Sequence, residues 1–238
     1  MKADVLIFAA HPDDAEMSCG GTIASLTSKG KKVVICDLTQ GEMGTRGTTQ
    51  TRKAESESAG NILGISERVQ LYLPDTAFDT DRKTQIPVIE TIRRFKPEIV
   101  ICNAITDRHP DHGRASSLES DACFYSGLSK IETSYKDQKQ ENWRPRLVFH
   151  YIQDRMIKPD FVVDISQFWK TKLEAIRAFK TQFFDPNSTE PETYISSAVF
   201  WDFLESRGRE MGHIIEVSHG EGFTVERPLG VEDLMGLK

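Results

Sequence analysis

The stretch Asp4-Val-Leu-Ile-Phe-Ala-Ala10-His11-Pro12-Asp13-Asp14-Ala15-Glu16 joins an uninterrupted apolar run to a knot of charge and then opens into a helical pattern. An apolar run without polar alternation reads as a strand covered on both faces, the environment of a parallel sheet flanked by helices. Where a dinucleotide-binding fold would place a glycine loop after such a strand, this chain places an imidazole and two carboxylates. Gly20 and Gly21 come later, inside the helical stretch and without G-x-G-x-x-G spacing. They are expected to let elements pack closely rather than to cradle a pyrophosphate.

Outward from this stretch the same unit recurs. Residues 4–10, 32–38, 69–73 and 98–102 read as strands, and residues 16–29, 50–63, 84–95 and 113–125 read as the helices that follow them. Gly30 stands at a C-cap position, and Pro97 falls just past the third helix. The second half is less regular. Residues 131–144 are polar and read as a surface excursion, 146–151, 161–165 and 220–225 as further strands, and 167–179 and 194–208 as helices. The predicted fold class is α/β, a Rossmann-like three-layer α/β/α arrangement with a mostly parallel sheet and a C-terminal elaboration. With no internal repeat and no linker rich in Pro, Gly and Ser, residues 1–238 are read as one domain.

Composition narrows the function classes. Of 238 residues, 38% are hydrophobic and 28% charged, as in soluble globular proteins. Thirty Lys and Arg against 36 Asp and Glu leave a formal charge of -6, which offers no overall field for nucleic acid or an anionic membrane. The patches Lys29, Lys31, Lys32 and Arg93, Arg94, Lys96 read as solvated helix ends. The first apolar run is too short for a signal peptide or a membrane span, so a cytoplasmic location is expected. Cys19, Cys36, Cys102 and Cys123 are scattered without a C-x-x-C pair and read as reduced core residues.

Sheets of this kind bind ligands beyond the carboxyl ends of their strands. The fourth predicted strand runs into Thr106-Asp-Arg-His109-Pro-Asp-His112, a second set of ligand-type side chains at the same edge. Two acidic, imidazole-bearing loops would repel each other unless a cation lay between them. Catalytic zinc takes three ligands from His, Asp or Glu and keeps one position for water. Spacing allows His11, Asp14, His112 and His109 as ligands, with Asp13, Glu16 or Asp111 nearby, and does not choose among them. The structural alternative is a helix N-cap, in which Asp13 or Asp14 accepts from free backbone N–H groups behind Pro12. Two such clusters at corresponding strand ends weigh against it.

Residues Ala10-His11-Pro12-Asp13-Asp14-Ala15-Glu16 together with His109-Pro110-Asp111-His112 resemble the PIG-L/LmbE-like metal-dependent deacetylases. Gly41-Glu42-Met43-Gly44-Thr45-Arg46-Gly47-Thr48, then Arg52-Lys-Ala-Glu55, resemble the loop and helix after the second strand of that family. The likeness is greatest to the branch that serves bacillithiol biosynthesis. It implies a Zn2+-dependent hydrolase that removes the acetyl group from a small-molecule N-acetylglucosamine conjugate, N-acetylglucosaminyl-malate first. The resemblance makes His11, Asp14 and His112 the zinc ligands and Asp13 the general base. It makes His109, held cationic by Asp111, the acid and oxyanion stabiliser, and it brings Tyr194 toward the reacting carbonyl. Arg52 matches a pocket arginine able to meet a malate carboxylate, with Glu42 and Arg46 on the adjoining loop as further pocket residues. A homo-oligomer, trimer or hexamer, is also implied. The alternatives are a deacetylase of another acceptor, such as a chitooligosaccharide or a glycosylinositol, and a non-catalytic metal- or nucleotide-binding module. The intact His-Pro-Asp-Asp and His-Pro-Asp-His sets speak against the module. His150, His213 and His219 are read as structural.

Overall fold

A computed structural model describes residues 1–183 and 185–236. Strand β1 (Val5–Ala9) leads into α1 (Asp14–Ser28), followed by β2 (Val33–Asp37), α2 (Thr49–Leu63), β3 (Glu67–Gln70), α3 (Arg82–Phe95), β4 (Ile99–Cys102) and α4 (Pro110–Tyr125). A surface ribbon, β5 (Ser134–Tyr135) and β6 (Gln138–Lys139), precedes β7 (Leu147–Tyr151), β8 (Phe161–Asp164), α5 (Trp169–Arg177), α6 (Ala198–Ile214) and β9 (Gly220–Val225). Every residue of β1 is buried, as its unbroken apolar run requires. Alternate residues face opposite layers: Val5, Ile7 and Ala9 pack with Ile23, Leu63, Ile176 and Phe200, while Leu6 and Phe8 pack with Ile89, Phe95 and Leu118. The sheet is thus the middle of an α/β/α sandwich, as expected from the sequence.

Seven strands run in the order β3-β2-β1-β4-β7-β9-β8. β1, β2, β3, β4 and β7 are parallel, and β9 runs antiparallel to both β7 and β8. The strand order reverses between β1 and β4. The crevice at such a reversal is the ligand site of open α/β sheets, and the two charged loops leave from these two strands.

Some boundaries and roles differ from the sequence reading. β3 ends at Gln70 because Tyr72 takes a left-handed conformation, φ 56, although Leu71 and Leu73 still bond to the carbonyls of Asp37 and Leu38. The last helix starts at Ala198, so Tyr194 lies in the turn before it. It runs through Gly208 to Ile214, and glycine stands at 208 because a β-carbon there would meet the Trp169 ring at 2.8 Å. Arg93 is no solvated helix end: it is buried and donates to the carbonyls of Ser126, Leu128 and Ile131 and to Thr133 Oγ1, tying the 131–144 excursion to α3. All four cysteines are buried and unpaired. No helix among the described residues is long and apolar enough to cross a membrane.

The C-terminal strands reach back to α1. This helix breaks at Cys19, φ -138, which frees the N–H groups beyond it. Glu221 on β9 fills the gap, accepting from Gly21 N at 2.9 Å and from Thr22 N and Oγ1 at 2.7 and 2.6 Å. Lys172 Nζ, 2.6 Å away, balances its charge. Gly21 packs closely as expected, since a β-carbon would lie 2.7 Å from Ile165. Beneath the loop after β4, Glu119 accepts from Asn103 N at 2.8 Å, and burial pushes its carboxyl up to about 8.

Two outcomes follow for stability. Glu221→Ala strands Lys172 and two backbone donors and is expected to cost about 3–5 kcal/mol in urea unfolding; a loss below about 1 kcal/mol contradicts this role. Glu119 keeps its proton in the folded chain and releases it on unfolding at neutral pH. Its stabilisation is therefore full in acid, below about 4.5, and is lost as pH rises toward 8. Glu119→Gln should flatten the fall in stability across pH 5–8 by about 1 kcal/mol per unit, and an unchanged slope would refute it.

Candidate active site

His11 leaves the end of β1, and Asp14 opens α1 three residues on. The Asp14 carboxylate is the meeting point of the two loops: Oδ2 lies 3.3 Å from His11 Nδ1, and Oδ1 lies 3.2 Å from His112 Nε2. Oδ2 also accepts from His11 N at 2.9 Å, and Oδ1 accepts from Gln153 Nε2 at 2.6 Å. Each imidazole turns its second nitrogen to another buried carboxylate. His11 Nε2 is 3.1 Å from Asp75 Oδ1, and His112 Nδ1 is 2.6 Å from Asp107 Oδ2. Asp75 is held by Met43 N, and Asp107 by the N–H groups of Asp154 and Arg155. This is the arrangement in which an outer carboxylate fixes the ring of a metal-ligating histidine.

Asp107 stands two residues before His109, but nothing in its spacing marks it as a partner of His112. Asp75 follows the third strand, where only the sheet-edge rule points to it. Both went unselected in the sequence.

Donor atoms gather in two overlapping sets, His11 with His109 and His112, and His11 with Asp75 and Asp111, each within 4.8 Å. His109 caps α4, and its Nδ1 accepts from Asp111 N at 3.2 Å. A ring nitrogen that accepts carries no proton, so the proton of His109 belongs on Nε2 and the ring is a donor there. The expected His109–Asp111 ion pair is not formed. The Asp111 carboxylate is taken up by Arg114 Nη1 at 2.7 Å and Thr76 N at 2.9 Å, with His11 Nε2 at 3.5 Å. Burial, with the charges of His11 and His112, holds the His109 imidazole below the ordinary histidine range, so it is neutral.

Burial alone would lower His11, but hydrogen bonds to Asp111, Asp14 and Asp75 outweigh it and raise the imidazole well above its usual range. Burial likewise opposes His112, yet the charge of Asp14 and the bond to Asp107 bring it up to about 9. Burial would also raise Asp14, and the two imidazoles keep it ionised instead. Two protons on histidines thus supply the positive charge that these carboxylates require, a charge a divalent cation can replace. The donor set fits such an ion.

Asp13 faces elsewhere. Its backbone is in the left-handed region at φ 118, unusual for a residue with a side chain and costly in strain. Its carboxylate makes no helix cap and instead meets Arg52 Nη2 at 3.1 Å. Burial lifts it to about 7, against the pull of Arg52. Arg52 lines the cavity, as expected of a pocket arginine, but is buried and also gives Nη2 to Gln182 Oε1 at 2.5 Å. Glu55, one turn on, accepts from Thr181 N and Oγ1. Gly41, φ 65, leaves room for this, since a β-carbon would stand 1.8 Å from Arg52 Nη1.

A cavity of about 340 Å³ opens over these groups. Met43, Gly44 and Thr45 line it, whereas Glu42 and Arg46 do not. Glu42 accepts from Gln40 N and Asp75 N and so shapes its own loop. Arg46 is buried and donates to Ser188 Oγ, joining that loop to residues 185–190. Glu16, fully buried, pairs with Arg68 at 2.6 Å on the far side of α1. Tyr194 lines the cavity at its mouth, half exposed, with the Arg108 guanidinium 4.3 Å over its ring. His150 is bonded to Ser116 and Asn103 O, His219 stacks on Trp169 at 4.3 Å, His213 is exposed, and none of the three lines the cavity.

The family model described as GlcNAc-PI de-N-acetylase, PIG-L, matches residues 6–123, which carry both charged loops. The diacetylchitobiose deacetylase of Thermococcus kodakarensis is 32% identical over 190 residues, 75% of this chain and 70% of its own length. A Bacillus subtilis protein described as a probable N-acetyl-alpha-D-glucosaminyl L-malate deacetylase 2 is 29% identical over 198 residues, 76% of this chain and 84% of its own. The conserved protein TT1542 of Thermus thermophilus superposes with a TM-score of 0.86 at 31% identity, covering 98% of both chains. The loops that meet at Asp14 lie within the matched residues, the sheet beneath them is shared across the whole chain, and the chain belongs to the PIG-L family.

Proposed function

We propose that this chain is a single-domain, metal-dependent de-N-acetylase of N-acetylglucosamine conjugates, with zinc as the metal and N-acetylglucosaminyl-malate as the first substrate to try. The reading is carried by one observation: a single carboxylate, Asp14, stands between His11 Nδ1 and His112 Nε2 while the outer nitrogens are held by Asp75 and Asp107. His11, Asp14 and His112 would hold the ion. Zinc held there would supply Lewis-acid polarisation of the amide carbonyl and would lower the pKa of the attacking water to about 7.

The protein groups do the rest. Asp13, next to a ligand but turned away from it toward Arg52, takes the proton of the attacking water and passes it to the departing amine. Arg52 and Gln182 fix the direction of that carboxylate. His109, neutral and with its proton on Nε2, donates to the oxygen on which charge develops. A donor prepared in this way is typically worth about 3–4 kcal/mol of barrier. Tyr194 and Arg108, stacked at the mouth, would border the sugar and its aglycone.

The purified protein is expected to bind about one equivalent of zinc and to release acetate from N-acetylglucosaminyl-malate. Asp13→Asn should keep the metal while kcat falls by about 10²–10⁴; a variant that retains full turnover removes Asp13 as the base. Asp107→Ala should weaken zinc binding about 10–100-fold in competition with a chelator. Unaltered affinity there would mean that the His112–Asp107 bond has no part in holding the ion.

A further inference from the structure

The cavity extends past the groups that the reaction uses. Met17 and Ser18 stand three and four positions after Asp14, so the α1 face that presents the carboxylate continues one turn, about 5.4 Å, into the cavity. From α6, Phe200, Phe203, Leu204, Gly208 and Met211 line the same space, with Arg207 among them donating to the carbonyls of Gln153 and Asp154. Phe200, Leu204 and Met211 are buried, as is Ile152, which follows β7 beside the Gln153 that binds Asp14. Gly222 closes the wall: a β-carbon there would lie 2.8 Å from Met211 Sδ and 3.2 Å from Ile152 Cδ1. Lys172 and Glu221, already paired with each other, also line the cavity. An amphipathic helix normally spends its apolar stripe on core contacts. Here the stripe is shared: Phe200 and Leu204 pack into the core and also border the cavity, together with Phe203 and Met211.

An amide carbonyl over Asp14 has two substituents, and they face different surroundings. The nitrogen bears the sugar, whose hydroxyls need hydrogen bonds and whose aglycone needs an exit. The mouth, at Thr45, Arg108, Thr193 and Tyr194, offers both. The acyl substituent must then point inward along α1, between Met17 and the α6 stripe. A methyl group alone would leave the apolar part of this wall, Met17, Ile152, Phe203, Leu204 and Met211, uncovered.

We infer that this inner chamber is an acyl pocket, and that the enzyme hydrolyses N-acyl glucosamine conjugates with short linear chains longer than acetyl, such as butyryl and hexanoyl. The inference rests on the deacetylase reading above and names the acyl class for the same site. The balance is that of any amide hydrolysis: water adds to the carbonyl carbon, the C–N bond breaks, and carboxylate and amine leave.

The test uses zinc-loaded protein with N-acetyl, N-butyryl and N-hexanoyl forms of one glucosamine conjugate, and calorimetric binding of acetate, butyrate and hexanoate. Carboxylate affinity should rise about fourfold per methylene, the equivalent of ~0.8 kcal/mol, with kcat/KM for the butyryl substrate at or above that for acetyl. Leu204→Trp should flatten both series, and should it not fold, the wild-type series decides alone. Acetate release together with flat carboxylate affinities and a butyryl rate more than about tenfold lower overturns this inference only. Release of no carboxylate from any of the three overturns the deacetylase reading and this one with it.

Discussion

The contact between Asp14 and the two imidazoles governs the rest of the molecule. It can form only because β1 and β4 are neighbours at the reversal of strand order, so that the loop leaving one faces the loop leaving the other. His11 and Asp14 come from the first loop, His112 from the first turn of the helix behind the second. Bringing Asp14, Asp75, Asp107 and Asp111 into one buried region carries a large penalty in unbalanced charge. The histidines meet it by protonation, and a divalent ion would meet it with less strain on their acid–base range. The same gathering of carboxylates is the chemistry that suits a cation.

Asp13 shows a second constraint working one residue away. Two adjacent carboxylates would ordinarily serve the same end of a helix. Here the left-handed backbone at position 13 sends them in different directions, Asp14 to the histidines and Asp13 to Arg52. Arg52 is itself pinned by Gln182, whose amide also donates to Arg46 O. The loop after β2 and the segment after α5 are thereby coupled to the orientation of one carboxylate.

The C-terminal third gives the site its walls. β9 returns antiparallel beside β7 and places Glu221 at the break in α1, so the helix that carries Asp14 is buttressed from the far end of the chain. The α6 helix then covers the crevice with its apolar stripe. Without these elements the parallel sheet would present its ligands on an open edge.

Much of this was legible in the residues. The apolar run before His11 marked a strand buried on both faces, the recurrence of that unit marked the α/β sandwich, and the two imidazole- and carboxylate-bearing motifs marked the strand ends where chemistry gathers. Local sequence can reveal such things because hydrophobic periodicity and strand-end loops are properties of contiguous chain. Which partners the side chains choose is not a local property. Arg52 was legible as a pocket cation, but not its partners Asp13 and Gln182, which lie 39 and 130 positions away. Asp111 looked like the partner of His109, yet Arg114, Thr76 and His11 compete for it more successfully. Asp75, Asp107 and the α6 wall acquire their roles only when the sheet closes the distances between remote loops, because hydrogen bonds and charge pairs are decided by proximity in space and not by order along the chain.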